Sequence, residues 1–172
     1  YLVQAYETWD SDIALLQNTY KMGFVNIVTS DFLKNLIKEK TGADSTVIHN
    51  GIDFSVFKPA YKKESNYKIN IGFINYNIEF KGTSIIVSAL DKIYPKYGEM
   101  INVYALTNVK ADTKREYIRY IYNPDDKKIS EIMSLCDIFI SASSEEGFYL
   151  VPAEAMACGC LSLTTPVGAV PD

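Results

Sequence analysis

Residues 137–160 read DIFISASSEEGFYLVPAEAMACGC, and the order of residue types in this stretch sets the fold. The β-rich run DIFISAS (137–143) predicts a strand. Residues 150–157 predict a helix with Pro152 in its first turn, where the missing N–H has no partner to lose. LSLTT (161–165) predicts the next strand. A strand, a helix and a strand in close succession are the unit from which parallel sheets are built. Gly147 lies in the first connection, where it permits a tight turn or a close backbone approach. Core packing does not ask for Glu146 and Glu154, which stand eight residues apart, one before the helix and one inside it.

The alternation continues in both directions. Toward the N-terminus LVQAY (2–6), FVNIVT (24–29) and STVIH (45–49) predict strands. A helix is expected over 11–23, capped by Ser11 and closed by Gly23. Another runs from Ser30 to Gly42, with Phe32, Leu33, Leu36 and Ile37 on one face. After the turn signal Asn50-Gly51, the lysine-rich SVFKPAYKKESNY (55–67) fits a hinge or a surface loop equally well. KINIGFIN (68–75), INVYALT (101–107) and EYIRYIYN (116–123) then predict strands. Helix 83–94 carries Ile85, Ile86, Ala89, Leu90 and Ile93 on one face. Helix 127–136 places Ile129, Ile132, Met133 and Cys136 in a single stripe. The fold class is α/β, a parallel sheet with helices on both faces. Ligands in such folds sit beyond the carboxyl ends of the strands, so the loops after Asn75, Tyr122 and Ser143 are where chemistry is expected.

Bulk properties narrow the function classes. A chain of 172 residues can bury one sizeable core or parts of two. A net charge of −4, with Arg115 and Arg119 as the only arginines, gives no reason to expect a nucleic acid partner. Cys136, Cys158 and Cys160 are odd in number, and the C-G-C pair is too tight for the usual zinc or redox spacings. Buried, reduced thiols in a cytoplasmic protein are expected. No apolar run approaches the ~20 residues a membrane span needs. No signal peptide is visible, and a chain that opens in mid-strand is expected to be a fragment.

The opening stretch has a chemistry of its own. Amides around Phe148, Tyr149 and Leu150 would be unpaired donors at a positive helix end, which suits phosphate. Glu154, one turn into the helix, could accept hydrogen bonds from two adjacent sugar hydroxyls. Together they fit a diphosphate joined to ribose on one side and to another polyol on the other. Acids near a helix N-terminus also stabilise it by ~0.3–1 kcal/mol without any ligand, so spacing alone leaves both readings open.

SSEEGFYLVPAEAMACGC resembles the E-G-F-x-L…E-A-M-A-C-G signature of the retaining glycosyltransferases of family GT4, which have the GT-B fold. Three further segments agree in order: IVTSDFLKNLI (27–37), VIHNGIDFSVFKP (47–59) and FKGTSIIVSAL (80–90). The resemblance implies two Rossmann-like domains facing across a cleft. Residues 1–58 would close the acceptor-side domain and begin the linker, 59–66 would be the linker, and 67–172 would be most of the donor domain. By the same resemblance Glu146 contacts donor sugar hydroxyls near the reacting carbon, and Glu154 holds the ribose. Gly147, Phe148, Tyr149 and Leu150 line the diphosphate and sugar, and Lys81 pairs with the phosphates.

One position departs from the family. Asn75-Tyr76 stands where glycine-arginine is usual, and Tyr76 can donate one hydrogen bond but carries no charge. Arg115 and Arg119 could compensate, although both positions also suit a solvated strand. Asp125-Asp126 resembles an acidic metal pair but is first a capped helix start. His49, the only histidine, flanks a turn, and Tyr117, Tyr120 and Tyr122 fit strand packing. The resemblance implies a nucleotide-diphosphate sugar as donor, a glycan or lipid-linked acceptor, no metal and no other cofactor. It implies a cytoplasmic location, with peripheral association at the inner face of the membrane through the rest of the protein. The fragment by itself is expected to bind donor without turnover. A non-catalytic nucleotide-sugar-binding domain is the alternative.

Overall fold

Among the residues described by the computed structural model (1–8, 12–60, 68–110 and 115–171), every strand pairing is parallel. The chain divides into two units. The smaller comprises Tyr1–Gly51, Glu145–Tyr149 and Pro166–Asp172, and the larger Ile52–Ser144 and Leu150–Thr165.

In the smaller unit β1 (Leu2–Val3), α1 (Ile13–Thr19), β2 (Asn26–Val28), α2 (Asp31–Thr41) and β3 (Ser45–Val47) form a three-stranded sheet in the order β1-β2-β3, with its helices. Val3, Tyr20, Val28, Leu33 and Ile37 are its core. α1 is shorter than periodicity predicts. The Asp12 carboxylate caps it by accepting the Ala14 N–H at 2.8 Å, and the expected cap Ser11 lies outside the described residues. It stops at Thr19 rather than Gly23 because Tyr20 turns inward, buried, and its carbonyl accepts the Asn26 amide at 2.9 Å. β1 pairs only through Leu2 and Val3, since β2 ends at Val28, just before the Ser30 cap of α2.

The larger unit contains β4 (Ile69–Asn75), α3 (Thr83–Tyr97), β5 (Ile101–Thr107), β6 (Ile118–Tyr122), α4 (Asp126–Leu135), β7 (Ile138–Ser141), α5 (Leu150–Ala157) and β8 (Leu161–Thr164). Its sheet runs β6-β5-β4-β7-β8 and has a core on each face. Phe73 packs among Ile86, Leu90 and Val103 on the α3 side, and Phe139 among Ile132, Met133 and Ala155 on the other. Both rings are fully buried, so truncating either to alanine should cost ~3–5 kcal/mol. The linker expected at 59–66 lies mostly outside the described residues. Just before it, Phe57 is buried in the larger unit's core, and the Ser130 and Ser134 hydroxyls donate to the carbonyls of Val56 and Lys58.

Helix α3 departs from expectation in two ways. α3 buries Ile86 and Leu90, whereas Ile85 and Ile93 are exposed. The rows 85-89-93 and 86-90 are both spaced by four, and a period does not fix which one faces the sheet. α3 also runs through Pro95 to Tyr97, because a proline in the last turn forfeits a single backbone bond.

The strand order positions the site. The chain runs outward from β4 to β5 to β6, then returns to place β7 on the other side of β4. Adjacent strands whose connections depart in opposite directions leave a crevice at their carboxyl ends. The stretches opening there are 76–82 and 142–144.

Candidate functional site

β4 ends at Asn75, and the next peptide is fixed at once: the Tyr76 N–H donates to the Thr83 hydroxyl at 2.9 Å. The chain then makes a single 3-10 turn at Glu79–Lys81 and enters α3 through Gly82, at φ +69°. A Cβ on Gly82 would collide with the Ala142 carbonyl oxygen, so the loop lies flush against the end of β7. The Phe80 carbonyl completes the latch by accepting the Ser144 N–H at 2.8 Å and the Ser143 hydroxyl at 3.1 Å. The Ser143 carbonyl in turn accepts the Thr165 hydroxyl, from just beyond β8.

Lys81 rides on this latched turn. Its ammonium lies 5.3 Å from the Phe80 ring centroid and 5.5 Å from that of Tyr76, within cation–π range of both. Tyr76 therefore meets the cation with its ring face. The spacing of Phe80 and Lys81 did not reveal this seat in advance, because it depends on how the 3-10 turn folds back beside Tyr76.

Glu154 is half-buried on α5, and no hydrogen-bond donor reaches its carboxylate among the described residues. Burial, with a smaller contribution from the nearby Asp126 charge, pushes its pKa above the usual carboxylate value. Asp125 is a different acid. It caps α4 by accepting the Lys128 N–H at 2.8 Å, as the sequence indicates. No cluster of metal-ligating side chains occurs among the described residues.

Glu146, Gly147, Phe148 and Tyr149 belong to the smaller unit, whereas Tyr76, Lys81, Leu150 and Glu154 belong to the larger. Gly147 is buried, and a Cβ there would run into the Gln4 carbonyl oxygen. Its own carbonyl accepts the Ser30 hydroxyl at 3.2 Å. The Phe148 ring lies 6.1 Å from that of His49, whose Nδ1 is 3.2 Å from the Thr29 carbonyl. Tyr149 adopts φ +74°, rare for a bulky side chain, and so bends the chain sharply into α5.

The two arginines have structural partners. Arg115 pairs with Asp91 of α3 at 2.8 Å, and the Tyr117 hydroxyl donates to the same carboxylate at 2.7 Å. The Tyr117 ring stacks on Tyr94 at 4.1 Å. Arg119 lies over the Tyr104 ring and donates to its hydroxyl at 3.3 Å. A cavity of about 600 Å³ opens at the ends of β4 and β5, and its lining includes Tyr76 and Arg115, the candidate compensating cation, but neither Lys81 nor Glu154. The three cysteines are buried and none forms a disulfide, and no helix among the described residues is long and apolar enough to cross a membrane.

A family model, Glycosyl transferases group 1, matches residues 71–172. A phosphatidylinositol N-acetylglucosaminyltransferase component of Arabidopsis thaliana is 25% identical, covering 73% of this chain and 30% of its own length. An uncharacterized glycosyltransferase of Methanocaldococcus jannaschii is 24% identical, covering 92% and 47%. Among solved structures, sucrose-phosphate synthase of Thermosynechococcus elongatus superposes with a TM-score of 0.77 at 16% identity, over 94% of this chain and 46% of that one. The chain thus spans less than half the length of these proteins, and the structural likeness establishes the fold: parallel sheets flanked by helices, as in GT-B glycosyltransferases.

Proposed function

Since the chain belongs to the group 1 glycosyl transferases, we propose that the protein moves a sugar from a nucleotide-diphosphate donor to an acceptor hydroxyl with retention of configuration. The observation that carries this reading is the Glu154 carboxylate, half-buried and without a donor, one turn into the helix that follows the glycine loop. Burial raises the cost of its charge, and two ribose hydroxyls would offset that cost with charge-assisted hydrogen bonds.

In this scheme Glu146 contacts the donor sugar near the reacting carbon. Lys81, steadied by Tyr76 and Phe80, and the amides of Phe148, Tyr149 and Leu150 meet the diphosphate. Negative charge grows on the diphosphate as the glycosidic bond breaks, and fixed donors aimed there stabilise the transition state without reorganising. The departing phosphate oxygen takes the proton of the incoming hydroxyl on the same sugar face, which delivers retention. With the leaving charge met by lysine and amides, the reaction proceeds without a metal.

The acceptor is a glycan or a lipid-linked saccharide, and the name of the Arabidopsis relative favours the lipid-linked class. The lipid in that name also accords with work at a membrane, and the cytoplasmic face is the side we propose from the motif resemblance. The fragment alone binds donor without turning it over. A second reading, a non-catalytic nucleotide-sugar-binding domain, is favoured by Tyr76, which removes one phosphate cation.

The test is transfer of labelled sugar by the full-length protein from a panel of nucleotide sugars, with the anomeric configuration of the product read by NMR. A product of retained configuration supports the catalytic reading. Donor binding without transfer to any acceptor in the panel selects the binding-domain reading, and an inverted product refutes the mechanism.

A further inference from the structure

Ser30 is the N-cap of α2, yet its hydroxyl makes two bonds. It accepts the Leu33 N–H at 3.2 Å, which starts α2, and donates to the Gly147 carbonyl at 3.2 Å, from a position 117 residues away. Ser30 is fully buried, so neither bond competes with water. A cap needs only the first. The second falls in the middle of the E-G-F-Y loop.

The peptide it grips joins Gly147 to Phe148. A trans peptide is planar, so its C=O and N–H point in opposite directions, and fixing one fixes the other. The Phe148 N–H has no acceptor among the described residues. Two close approaches reinforce the grip. A Cβ on Gly168 would stand 2.8 Å from the Gly147 carbonyl oxygen and 2.9 Å from that of Glu146, and Gly147 itself lies against the Gln4–Ala5 backbone. The plane is held from several sides, and a hydrogen bond to the carbonyl also polarises the N–H across the plane.

We infer that Ser30 is a positioning residue for donor binding: its hydroxyl orients and polarises the Gly147–Phe148 peptide so that the Phe148 N–H is presented to an anionic oxygen of the donor diphosphate. This rests on the donor-site reading above. It gives a residue of the N-terminal part of the chain a part in holding the nucleotide, separate from its part in starting α2.

The two roles separate by substitution. Glycine is nearly as good a cap as serine but has no hydroxyl to donate, whereas threonine keeps both bonds. The full-length protein and its Ser30→Gly and Ser30→Thr variants are titrated calorimetrically with UDP, GDP and ADP, and their melting temperatures are compared. Ser30→Gly is expected to weaken the best-bound diphosphate roughly three- to tenfold, with a lower melting temperature because a buried carbonyl loses its donor, and Ser30→Thr to bind within about twofold of wild type. If Ser30→Gly does not fold, Ser30→Cys makes the same comparison, because its thiol is close to the hydroxyl in shape but only a weak donor to a carbonyl. Diphosphate binding unchanged in the donor-less variant overturns the inference and leaves the donor site standing. Equal weakening in both variants with a lowered melting temperature also overturns it, since packing would then be the cause. A wild type that binds none of the three overturns the donor-site reading and this inference with it.

Discussion

The Lys81 ammonium lies over the ring of Tyr76, 5.5 Å from its centroid. A neutral ring here serves as a seat for the neighbouring charge. An arginine at position 76 would face Lys81 at about this distance, a repulsion of ~0.8 kcal/mol in a water-like dielectric. A charge-assisted bond to phosphate contributes ~1.5–3 kcal/mol, which is larger. Tyr76→Arg should therefore tighten nucleoside diphosphate binding, by up to about tenfold, with the gain shrinking as salt is raised. Tyr76→Leu, which removes the ring face, should weaken it by ~0.5–1 kcal/mol. Calorimetry of both variants at two salt concentrations checks the pair, and a Tyr76→Arg affinity at or below wild type at low salt would show that repulsion prevails.

Glu154 should trade stability against binding. Its folded-state pKa is raised, so the folded protein holds this proton more tightly than the unfolded chain does. The stabilising linkage is complete below the unfolded pKa and is lost as pH rises through the folded one. Glu154→Gln should accordingly melt at or above the wild-type temperature at neutral pH, an advantage that fades as pH falls into the carboxylate range. The same variant should bind nucleoside diphosphate more weakly, by ~1.5–3 kcal/mol, because ribose would lose a charged acceptor. Parallel melting and titration series decide it, and unchanged affinity in Glu154→Gln removes the ribose assignment.

Arg115 offers a negative control. Its guanidinium holds the Asp91 carboxylate below its ordinary pKa, with help from the Tyr117 hydroxyl. The stability this contributes is present above the unfolded carboxylate pKa and is lost as pH falls through the depressed folded value. Arg115→Ala should flatten that acid dependence slightly and leave diphosphate affinity untouched. A clear loss of affinity would instead make Arg115 the compensating phosphate cation.

Gly82 should tolerate no side chain. Alanine there would carry φ +69° and meet the Ala142 backbone, which has little freedom to retreat at the end of a paired strand. Gly82→Ala is expected to lower stability by at least about 2 kcal/mol, read as a shift in the denaturant midpoint. A variant as stable as wild type would mean that the 76–82 loop is not pressed against β7.

What could be read in advance followed local rules. α5 was legible because Pro152 fixes its first turn, and β5 because seven largely apolar residues run without a break. Glu154 stood out because nothing in a core requires it, although its partner chemistry came from resemblance rather than spacing. The face of α3 was not legible, since two rows shared the same period. The Phe80 latch and the Ser30 bond were not legible either. Both are set by which strands become neighbours, and a backbone carbonyl at Phe80 or Gly147 leaves no mark in residue identity.

The strand order has a consequence for the order of folding. β4, β5 and β6 are consecutive, so each can dock on the last as the chain lengthens, but β7 pairs with β4 at Ile71–Ile138 and must wait for everything between them. Closing so long a loop is entropically slow, and the reward comes only when β7 is seated. The Phe80–Ser144 latch, and with it the lodging of Lys81, cannot precede that event. Nucleotide affinity should thus appear last in refolding, after most helical signal has returned, and would serve as a direct clock for completion of the larger unit.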